Sequence, residues 1–282
     1  MFSVHIFVGA FPVLGSTLGR IFQPLYQAMA WMLAGFYALF PNYAVAITLL
    51  TIVVMAASAP LTIKVTRSAL AMQRLQPELK KLQQKYKGDR VRLNQATVAL
   101  YREHGVNPLS GFLPLLLQIP VLIVLYGVIR GLTHTVDRGR VAAPLYISHS
   151  VRLAKSLRAH PGQMHAVGIN LASSLLGAHG SWVAYLPYAA LVLIAIGLQY
   201  VQTRRVNSRT PQGSGTPQAQ AQVLRYLPLV YAAVYLRFPA GVNIYFVAST
   251  VCRIAIQEVA LRPGSLRPSP GRRPRLAGEG ET

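Results

Sequence analysis

The stretch from Pro60 to Arg90 constrains the fold most, because it places a basic, amphipathic segment between two long apolar runs. Its apolar side chains recur at spacings of four, three and four residues, namely at Leu75, Leu79, Leu82 and Tyr86. This spacing puts them on one side of a helix. After a turn at residues 87–89, a second helix has its own apolar face, formed by Leu93, Ala96 and Leu100. The pattern predicts a basic helical hairpin over residues 62–105 that joins two membrane spans.

The composition places the chain among polytopic membrane proteins. Apolar residues make up 52% of its 282 residues and only 12% are charged, against about 25% in soluble domains. The 28 Lys and Arg residues outnumber the seven acidic residues, which gives a net charge of +21. The basic residues lie almost entirely in loops. Such an excess suits anionic lipid headgroups or nucleic acid. The loops are therefore expected to contact lipid or, as the alternative, ribosomal RNA.

The apolar segments predict five transmembrane helices, at residues 43–61, 109–129, 182–200, 224–236 and 242–256. They belong to a core over residues 43–261. The preceding segment, residues 1–42, is predicted to hold an amphipathic helix at 20–40 that lies in the membrane interface. A first spanning helix is the alternative for this segment.

The remaining parts of the chain are predicted to be loops. Residues 131–182 form a polar outer loop, of which 138–168 are expected to be a surface excursion. Residues 203–222 are rich in Pro, Gly, Gln and Arg, and are predicted to be flexible. The tail at 262–282 is predicted to be disordered, and it holds five of the six basic residues that occur from Arg253 onward.

The loop charges predict the orientation of the chain. The hairpin carries ten Lys and Arg residues, and positive loops stay on the cytosolic side. The N-terminus is then expected outside and the C-terminus in the cytosol. No basic region precedes the apolar start, so a cleavable signal peptide is not expected. The expected location is the plasma membrane of a bacterium.

Several segments resemble those of one known family. They are Pro60-Leu61-Thr62, residues 72–89, LYREHGVNPLSGFLPLLLQIPVLIVLYGVIRGL at 100–132 and, more weakly, FPAGVNIYFVASTVCRIAIQE at 238–258. Together with the basic hairpin, they resemble the YidC/Oxa/Alb family of membrane protein insertases over most of the chain. The resemblance implies an all-α polytopic membrane protein. In it, five transmembrane helices enclose a polar groove that opens to the cytosol and to lipid and is sealed outside.

The resemblance also implies a function and partners. Such proteins insert and fold nascent membrane proteins without nucleotide hydrolysis, so neither a cofactor nor an enzymatic activity is expected. The ribosome, the Sec translocon and anionic lipids are further expected partners, and the chain is expected to be a monomer. A hydrated groove helps because each unsatisfied polar group costs several kcal/mol in the apolar slab.

Polar residues of the chain outline such a groove. In the first span, Thr48, Thr51, Ser58 and Thr62 fall on one helical face, which Met55 completes. Gln118 lies about 10 Å into the second span, and polar residues repeat every seven positions on the last one, at Asn243, Thr250 and Gln257. The alternative is that each hydroxyl only bonds its own helix. The predicted substrate groove is lined by Thr48, Thr51, Met55, Ser58, Gln118, Asn243 and Thr250.

One departure from the family concerns charge. By the resemblance, an arginine is usual five residues before Pro60, where this chain has Met55. Arg225 and Arg253 lie in the predicted spans 224–236 and 242–256, but they are grouped with the neighbouring basic loop and tail, so no Lys or Arg is expected to replace it. Acidic segments would then gain no Coulomb attraction, so a narrower substrate range is expected. An assembly chaperone without insertion activity is the alternative function.

Other function classes find little support in the sequence. The single Cys252 excludes a disulfide framework, and no base for an intramembrane protease lies at mid-membrane. A transporter, the remaining rival, would show an internal repeat and ionisable residues at the midplane. No metal site is expected from the five histidines of the outer loop, because Asp137 is the only carboxylate there; they are His134, His149, His160, His165 and His179.

A GxxxG motif ends the second span, at Gly127 and Gly131. It predicts close helix packing or is a chance match in a chain with 22 glycines.

Overall fold

A computed structural model of the chain describes residues 12–105, 113–137, 140–148, 150–177, 182–207 and 230–260. Its helices are α1 (Pro12–Leu39), α2 (Tyr43–Arg74), α3 (Gln76–Lys85), α4 (Arg90–Glu103), α5 (Leu113–Leu132), α6 (Arg152–Ala159), α7 (Trp182–Asn207), α8 (described over 230–237) and α9 (Ala240–Ala260). Two small antiparallel hairpins pair β1 (Thr135–Val136) with β2 (Val141–Ala142) and β3 (His165–Ala166) with β4 (Ile169–Asn170). A 3-10 turn covers Leu175–Gly177.

The predicted N-terminal helix forms, and the apolar side predicted for it packs only in part; that side consists of Phe22, Leu25, Met29, Met32, Phe36 and Leu39. α1 packs against α2 and α5 and buries Met29 of that side together with Ala30 and Leu33 beside it, whereas Leu25 and Leu39 are exposed. In lipid, moving an apolar helix face from the lipid into the bundle gains little free energy. The face that packs is therefore the one whose small side chains, such as Ala30, allow close contact between helices. The position of α1 in the membrane interface stays a prediction.

The first predicted span is part of a much longer helix. Asn42 begins α2 as an N-cap, since its Oδ1 accepts hydrogen bonds from two backbone amides of the first turn at 2.9 and 3.3 Å. The helix then continues through Pro60, past the predicted end at Leu61, and ends at Arg74. The length of an apolar run indicates how far a helix contacts lipid. The helix itself depends only on its backbone hydrogen bonds, so α2 continues beyond its apolar run into the hairpin.

The predicted helical hairpin is confirmed in its two helices. α3 restarts directly before Pro77, which suits the first turn of a helix because proline has no amide hydrogen to donate. Asp89 caps α4 by accepting from the Arg92 amide at 3.0 Å. The end of α2 and the two hairpin helices share an apolar cluster that is separate from the main core, formed by Met72, Leu75, Leu79, Leu100 and Tyr101. The mobility of the hairpin relative to the spans stays a prediction.

Three described helices are long and apolar enough to cross a membrane, over Tyr43–Met72, Trp182–Arg205 and Ala240–Val259, and Gln118–Leu132 is a shorter apolar helix. Large apolar side chains on them are exposed, as in Ile52 and Leu193, which suits contact with lipid. The number of five spans stays a prediction.

The predicted flexible stretch at 203–222 begins inside a helix, because α7 extends to Asn207 rather than ending near residue 200. The rest of that stretch and the tail at 262–282 lie outside the described residues.

The described part of the predicted outer loop is a folded unit rather than a surface excursion, and we call residues 134–137, 140–148 and 150–177 the cap. Its helix α6 buries Leu153 and Leu157, and these join the main core together with Met164 and Leu171 from the rest of the cap. The prediction of a polar loop was wrong here, because the apolar residues are spaced widely among histidines and basic residues. Only the fold brings them to one side.

The cap ties together helix ends on the side of the bundle opposite the hairpin. Ser156 Oγ accepts hydrogen bonds from the hydroxyls of Tyr37 in α1 and Tyr43 in α2, each at 2.9 Å. The first two amides of α9, from Ala240 and Gly241, donate to cap carbonyls at 2.8 and 2.9 Å. These contacts satisfy amides that a helix start leaves without partners, so the cap closes this end of the bundle.

The GxxxG motif marks close packing, although the partners are tyrosine rings. A Cβ atom added to Gly127 would come within 3.0 Å of the Tyr26 ring, and one added to Gly131 would do the same to the Tyr146 ring. These rings stack on each other with centroids 5.4 Å apart and planes inclined by 17°. The two glycines therefore make room for a tyrosine pair that joins α1 to the cap.

Candidate functional site

Buried polar side chains concentrate where α2, α5 and α9 approach one another. α9 packs against α2, α5 and α7. Thr51, Gln118, Asn243 and Thr250 are each at most 9% exposed, and Met55 is also buried. Thr48 and Ser58 are half-buried. All seven residues of the predicted groove therefore turn at least partly away from the bundle surface, while their arrangement around one cavity stays a prediction.

The side-chain hydroxyls of α2 donate hydrogen bonds to backbone carbonyls of the same helix, which was the alternative interpretation of these residues. Thr51 donates to the carbonyl of Ile47 at 2.6 Å, and Ser58 donates to that of Met55 at 3.1 Å. Thr48 and Thr62 do the same with carbonyls four residues earlier, at 2.8 and 3.1 Å. These bonds let hydroxyls lie in apolar surroundings at little cost. Each oxygen keeps acceptor capacity for a further partner.

Gln118 is the predicted groove residue with the most informative contacts. Its Nε2 donates to the Tyr245 hydroxyl of α9 at 2.8 Å. Its Oε1 accepts from Nη2 of Arg253, also on α9, at 2.9 Å. Because a guanidinium can only donate, the amide orientation of Gln118 follows from these partners. The bonds cross from α5 to α9 inside the bundle.

Arg253 overturns the expectation that the spans hold no basic residue. It lies within α9 and within the stretch Ala240–Val259 that is long and apolar enough to cross a membrane. The sequence interpretation grouped its charge with that of the tail although the predicted span 242–256 contains it, and the helix continues for seven residues beyond it, to Ala260. A cation therefore lies among the helices of the predicted groove, although on α9 and not at Met55.

The other members of the polar stripe on α9 bind neighbouring helices. Asn243 Nδ2 donates to the Tyr235 carbonyl at 2.9 Å, which ties α9 to α8 near the cap. At the other end, Gln257 Oε1 accepts from Gln202 Nε2 of α7 at 3.1 Å. Beside that bond, Arg205 forms an ion pair with Glu258. The stripe therefore includes contacts that hold the bundle together.

The described residues offer no cluster of three His, Cys, Asp or Glu side chains able to hold a metal ion. The chemistry of the region is that of hydrogen-bond donors and acceptors around one guanidinium. The sequence interpretation missed Arg253 together with Tyr245 and Tyr235. A signal for the arginine was present, because Gln118 and Arg253 both lie about 10 Å from the hairpin ends of their helices.

Comparison with known proteins gives one consistent result. Residues 35–265 match the family described as 60Kd inner membrane protein. The chain is 34% identical over 230 residues to the chloroplastic inner membrane protein ALBINO3 of Arabidopsis thaliana, covering 80% of this chain and 48% of that protein. It is 30% identical over 237 residues to the membrane protein insertase YidC of Syntrophobacter fumaroxidans, covering 84% and 37%.

A solved structure supports the same fold. The chain resembles the active YidC insertase crystal structure with the first transmembrane domain resolved, with a TM-score of 0.54 and 22% sequence identity, over 88% of this chain and 51% of that one. The chain spans about half, or less, of the length of these relatives. Since the match of the family covers residues 35–265, the chain belongs to the 60Kd inner membrane protein family, which is the YidC/Oxa/Alb family.

Proposed function

We propose that this chain is a membrane protein insertase that acts without nucleotide hydrolysis. A polar segment of a nascent membrane protein enters between α2, α5 and α9 from the side of the hairpin, and its apolar helix then leaves sideways into lipid. The observation that carries the proposal is the Gln118–Arg253 contact, a polar and charged pair inside helices whose outer faces are apolar. A polar segment beside this pair finds partners that lipid cannot offer.

Energetic arguments support both the entry of the polar segment and the exit of the apolar helix into lipid. In lipid, each unsatisfied polar group of the entering segment would cost several kcal/mol, and the groove residues Thr48, Thr51, Ser58, Asn243 and Thr250 offer acceptors or donors along the way. Exit of the apolar helix into lipid is favoured by about 25 cal/mol for each Å² of apolar surface removed from water. The cap closes the far end of the bundle, which suits a groove with a single polar opening.

The chaperone alternative is less well supported. It rested on the absence of a cation at Met55, and the helix α9 supplies Arg253 instead. The Syntrophobacter relative carries the name membrane protein insertase, which favours insertion over holding. Membership of the family also sets aside a transporter.

Reconstitution tests the proposed function directly. We expect lipid vesicles that contain the purified chain to insert a test protein with one apolar helix and a short polar tail, because the groove lowers the barrier for the tail. The measurement is protection of the tail from a protease added outside the vesicles. Vesicles with an unrelated helical membrane protein are the control. Protection no greater than in the control would refute insertion, and improved folding of a pre-inserted protein alone would support the chaperone.

The orientation is part of the proposal, with the hairpin in the cytosol and the cap outside, in the plasma membrane. In a Cys252→Ser background, single cysteines at Lys81 and Arg92 should resist a membrane-impermeant thiol reagent added to intact cells. A cysteine at Lys155, on the exposed side of α6, should react and serves as the matched control. Labelling of the two hairpin positions, with none at Lys155, would reverse the orientation.

We further propose that the chain acts as a monomer on nascent membrane proteins, with the ribosome, the Sec translocon and anionic lipids as partners. The exposed basic residues of the hairpin, among them Lys80, Lys81 and Lys85, support contact with an anionic surface. Contacts of this kind weaken as salt rises.

A further inference from the structure

The outward face of α6, in the cap, carries a stripe of basic residues. Arg152, Lys155 and Arg158 are exposed and follow one another at spacings of three residues, whereas Leu153 between them is buried. This spacing makes the basic side chains neighbours on one side of the helix. At 1.5 Å per residue, it spreads them over about 9 Å along the helix axis. The cap therefore presents an extended cationic face to its surroundings.

The orientation of the chain does not account for this charge. Residues 138–158 hold five basic residues, and Asp137 is the only acidic residue in the sequence between positions 104 and 257. Positive charges in a short outer loop work against the proposed orientation, because basic loops favour the cytosolic side. An anionic ligand would give these charges a role that topology does not.

Hydrogen bonds place α6 at the level where a membrane span begins. Ser156 Oγ accepts from the Tyr43 hydroxyl at 2.9 Å. Tyr43 is the first residue of α2 and of the stretch that is long and apolar enough to cross a membrane. Tyrosine is enriched at the boundary between the hydrocarbon layer and water. We therefore expect α6 to lie at the depth of the lipid headgroups on the cap side.

Exposed apolar side chains adjoin the basic face at the end of α1. Arg152 Nη1 donates to the carbonyl of Ala38 at 3.4 Å, and the next two residues, Leu39 and Phe40, are 71% and 54% exposed. A guanidinium has five N–H donors, so this bond leaves donors of Arg152 for another ligand. Basic residues beside exposed leucine and aromatic side chains are typical of a surface that lies in the membrane interface.

This combination of charge and apolar surface favours a phospholipid as the ligand. A phospholipid brings a phosphate and acyl chains to the same place, so one molecule contacts both the cations and the apolar side chains. A guanidinium matches a phosphate in bidentate fashion, and an ammonium group binds it as a point charge. A soluble acidic protein would match the charges alone.

We propose that Arg152 and Lys155 bind the phosphate of an anionic phospholipid in the outer leaflet, whose acyl chains contact Leu39 and Phe40. The lipid links the cap to the end of α1 and holds both at one depth. This site differs from the contact proposed for the hairpin, which lies on the opposite side of the membrane. It does not depend on insertion, so failure of the insertase function would leave it standing.

Fluorescence quenching tests the site in vesicles of phosphatidylcholine. The full chain carries Cys252→Ser and Ala159→Cys, with a fluorophore on the new thiol at an exposed position four residues after Lys155. About a tenth of the lipid has a nitroxide on its acyl chain and is either phosphatidylglycerol or phosphatidylcholine. We expect phosphatidylglycerol to be enriched about fivefold around the fluorophore, which corresponds to the contribution of one basic residue near an anionic lipid.

Charge removal at two positions assigns the preference to the stripe. Arg152→Gln together with Lys155→Gln should abolish the enrichment, because the amides carry no charge. Lys80→Gln together with Lys81→Gln is the matched control, since it removes the same charge from exposed positions of the hairpin and should keep the enrichment. Equal quenching by the two lipids without these changes, or enrichment that survives the loss of Arg152 and Lys155, would overturn the site.

Thermal unfolding in detergent gives a second measurement without a fluorophore. A ligand that binds only the folded chain raises the midpoint of unfolding. A short-chain phosphatidylglycerol should therefore raise the midpoint of the natural chain more than the matching phosphatidylcholine does. The difference should fall in the Arg152 and Lys155 double variant and persist in the hairpin variant. Equal effects of the two lipids, with binding of soluble polyglutamate that the double variant loses, would assign the face to an acidic protein instead.

Discussion

Replacement of Leu153 by aspartate should unfold the cap and destabilise the whole bundle. Leu153 is fully buried in α6 among apolar side chains of the main core. A carboxylate there would be desolvated without a partner while the packing of the leucine is lost. We expect a loss of about 3–5 kcal/mol in the free energy of unfolding.

The measurement is thermal unfolding in detergent, followed by intrinsic fluorescence, together with trypsin cleavage at the basic residues of α6. Lys155→Asp provides the matched control, since it introduces the same carboxylate two positions away on the exposed side of the helix. It should change the midpoint little. Equal midpoints for the Leu153 variant and the natural chain would show that the cap is not part of the cooperative unit.

Replacement of Gly131 by alanine should also destabilise the chain, by about 1–3 kcal/mol, because overpacking a tight contact forces its neighbours to move. The added Cβ meets the Tyr146 ring, whose stacking on Tyr26 connects the cap to α1. The expected result is a lower midpoint of thermal unfolding. A Tyr146→Ala change in the same chain should remove most of the additional loss, since the two sites are coupled.

Gly35→Ala is the control for this prediction. A Cβ at Gly35 meets nothing within 4 Å, so alanine there should raise stability by up to about 1 kcal/mol through helix propensity. Opposite signs at the two glycines would support steric crowding at Gly131. Equal shifts would mean that the tyrosine pair moves freely and that the motif carries no packing role.

The spacing of residues close together in the sequence was sufficient to predict those elements that depend only on neighbouring residues. The leucine spacing in residues 75–100 predicts the hairpin, and Pro77 marks the restart of its first helix, because both depend on neighbours within a few positions. Helix ends were less accurate: α2 continues to Arg74 and α7 to Asn207, since an apolar run reports contact with lipid and not the extent of a helix.

Contacts that join distant parts of the chain could not be predicted in this way. Ser156 binds Tyr37 from 119 positions away, and no local pattern indicates that pairing. Arg253 was overlooked as a cation of the predicted span 242–256 because its charge was grouped with that of the following tail. Comparing its depth with that of Gln118 would have suggested their contact, whereas the choice of Tyr245 as the other partner of Gln118 depends on how α5 and α9 rotate against each other.

The length of α2 has a mechanical consequence. Its 32 residues extend about 48 Å, whereas the hydrocarbon layer is about 30 Å thick, so one continuous rod carries both the predicted groove face and the base of the hairpin. Pro60 lies near its middle and cannot donate a hydrogen bond to the carbonyl of Ala56. A force applied to the hairpin is therefore transmitted along α2, and the helix bends most easily near Pro60, beside Met55 and Ser58.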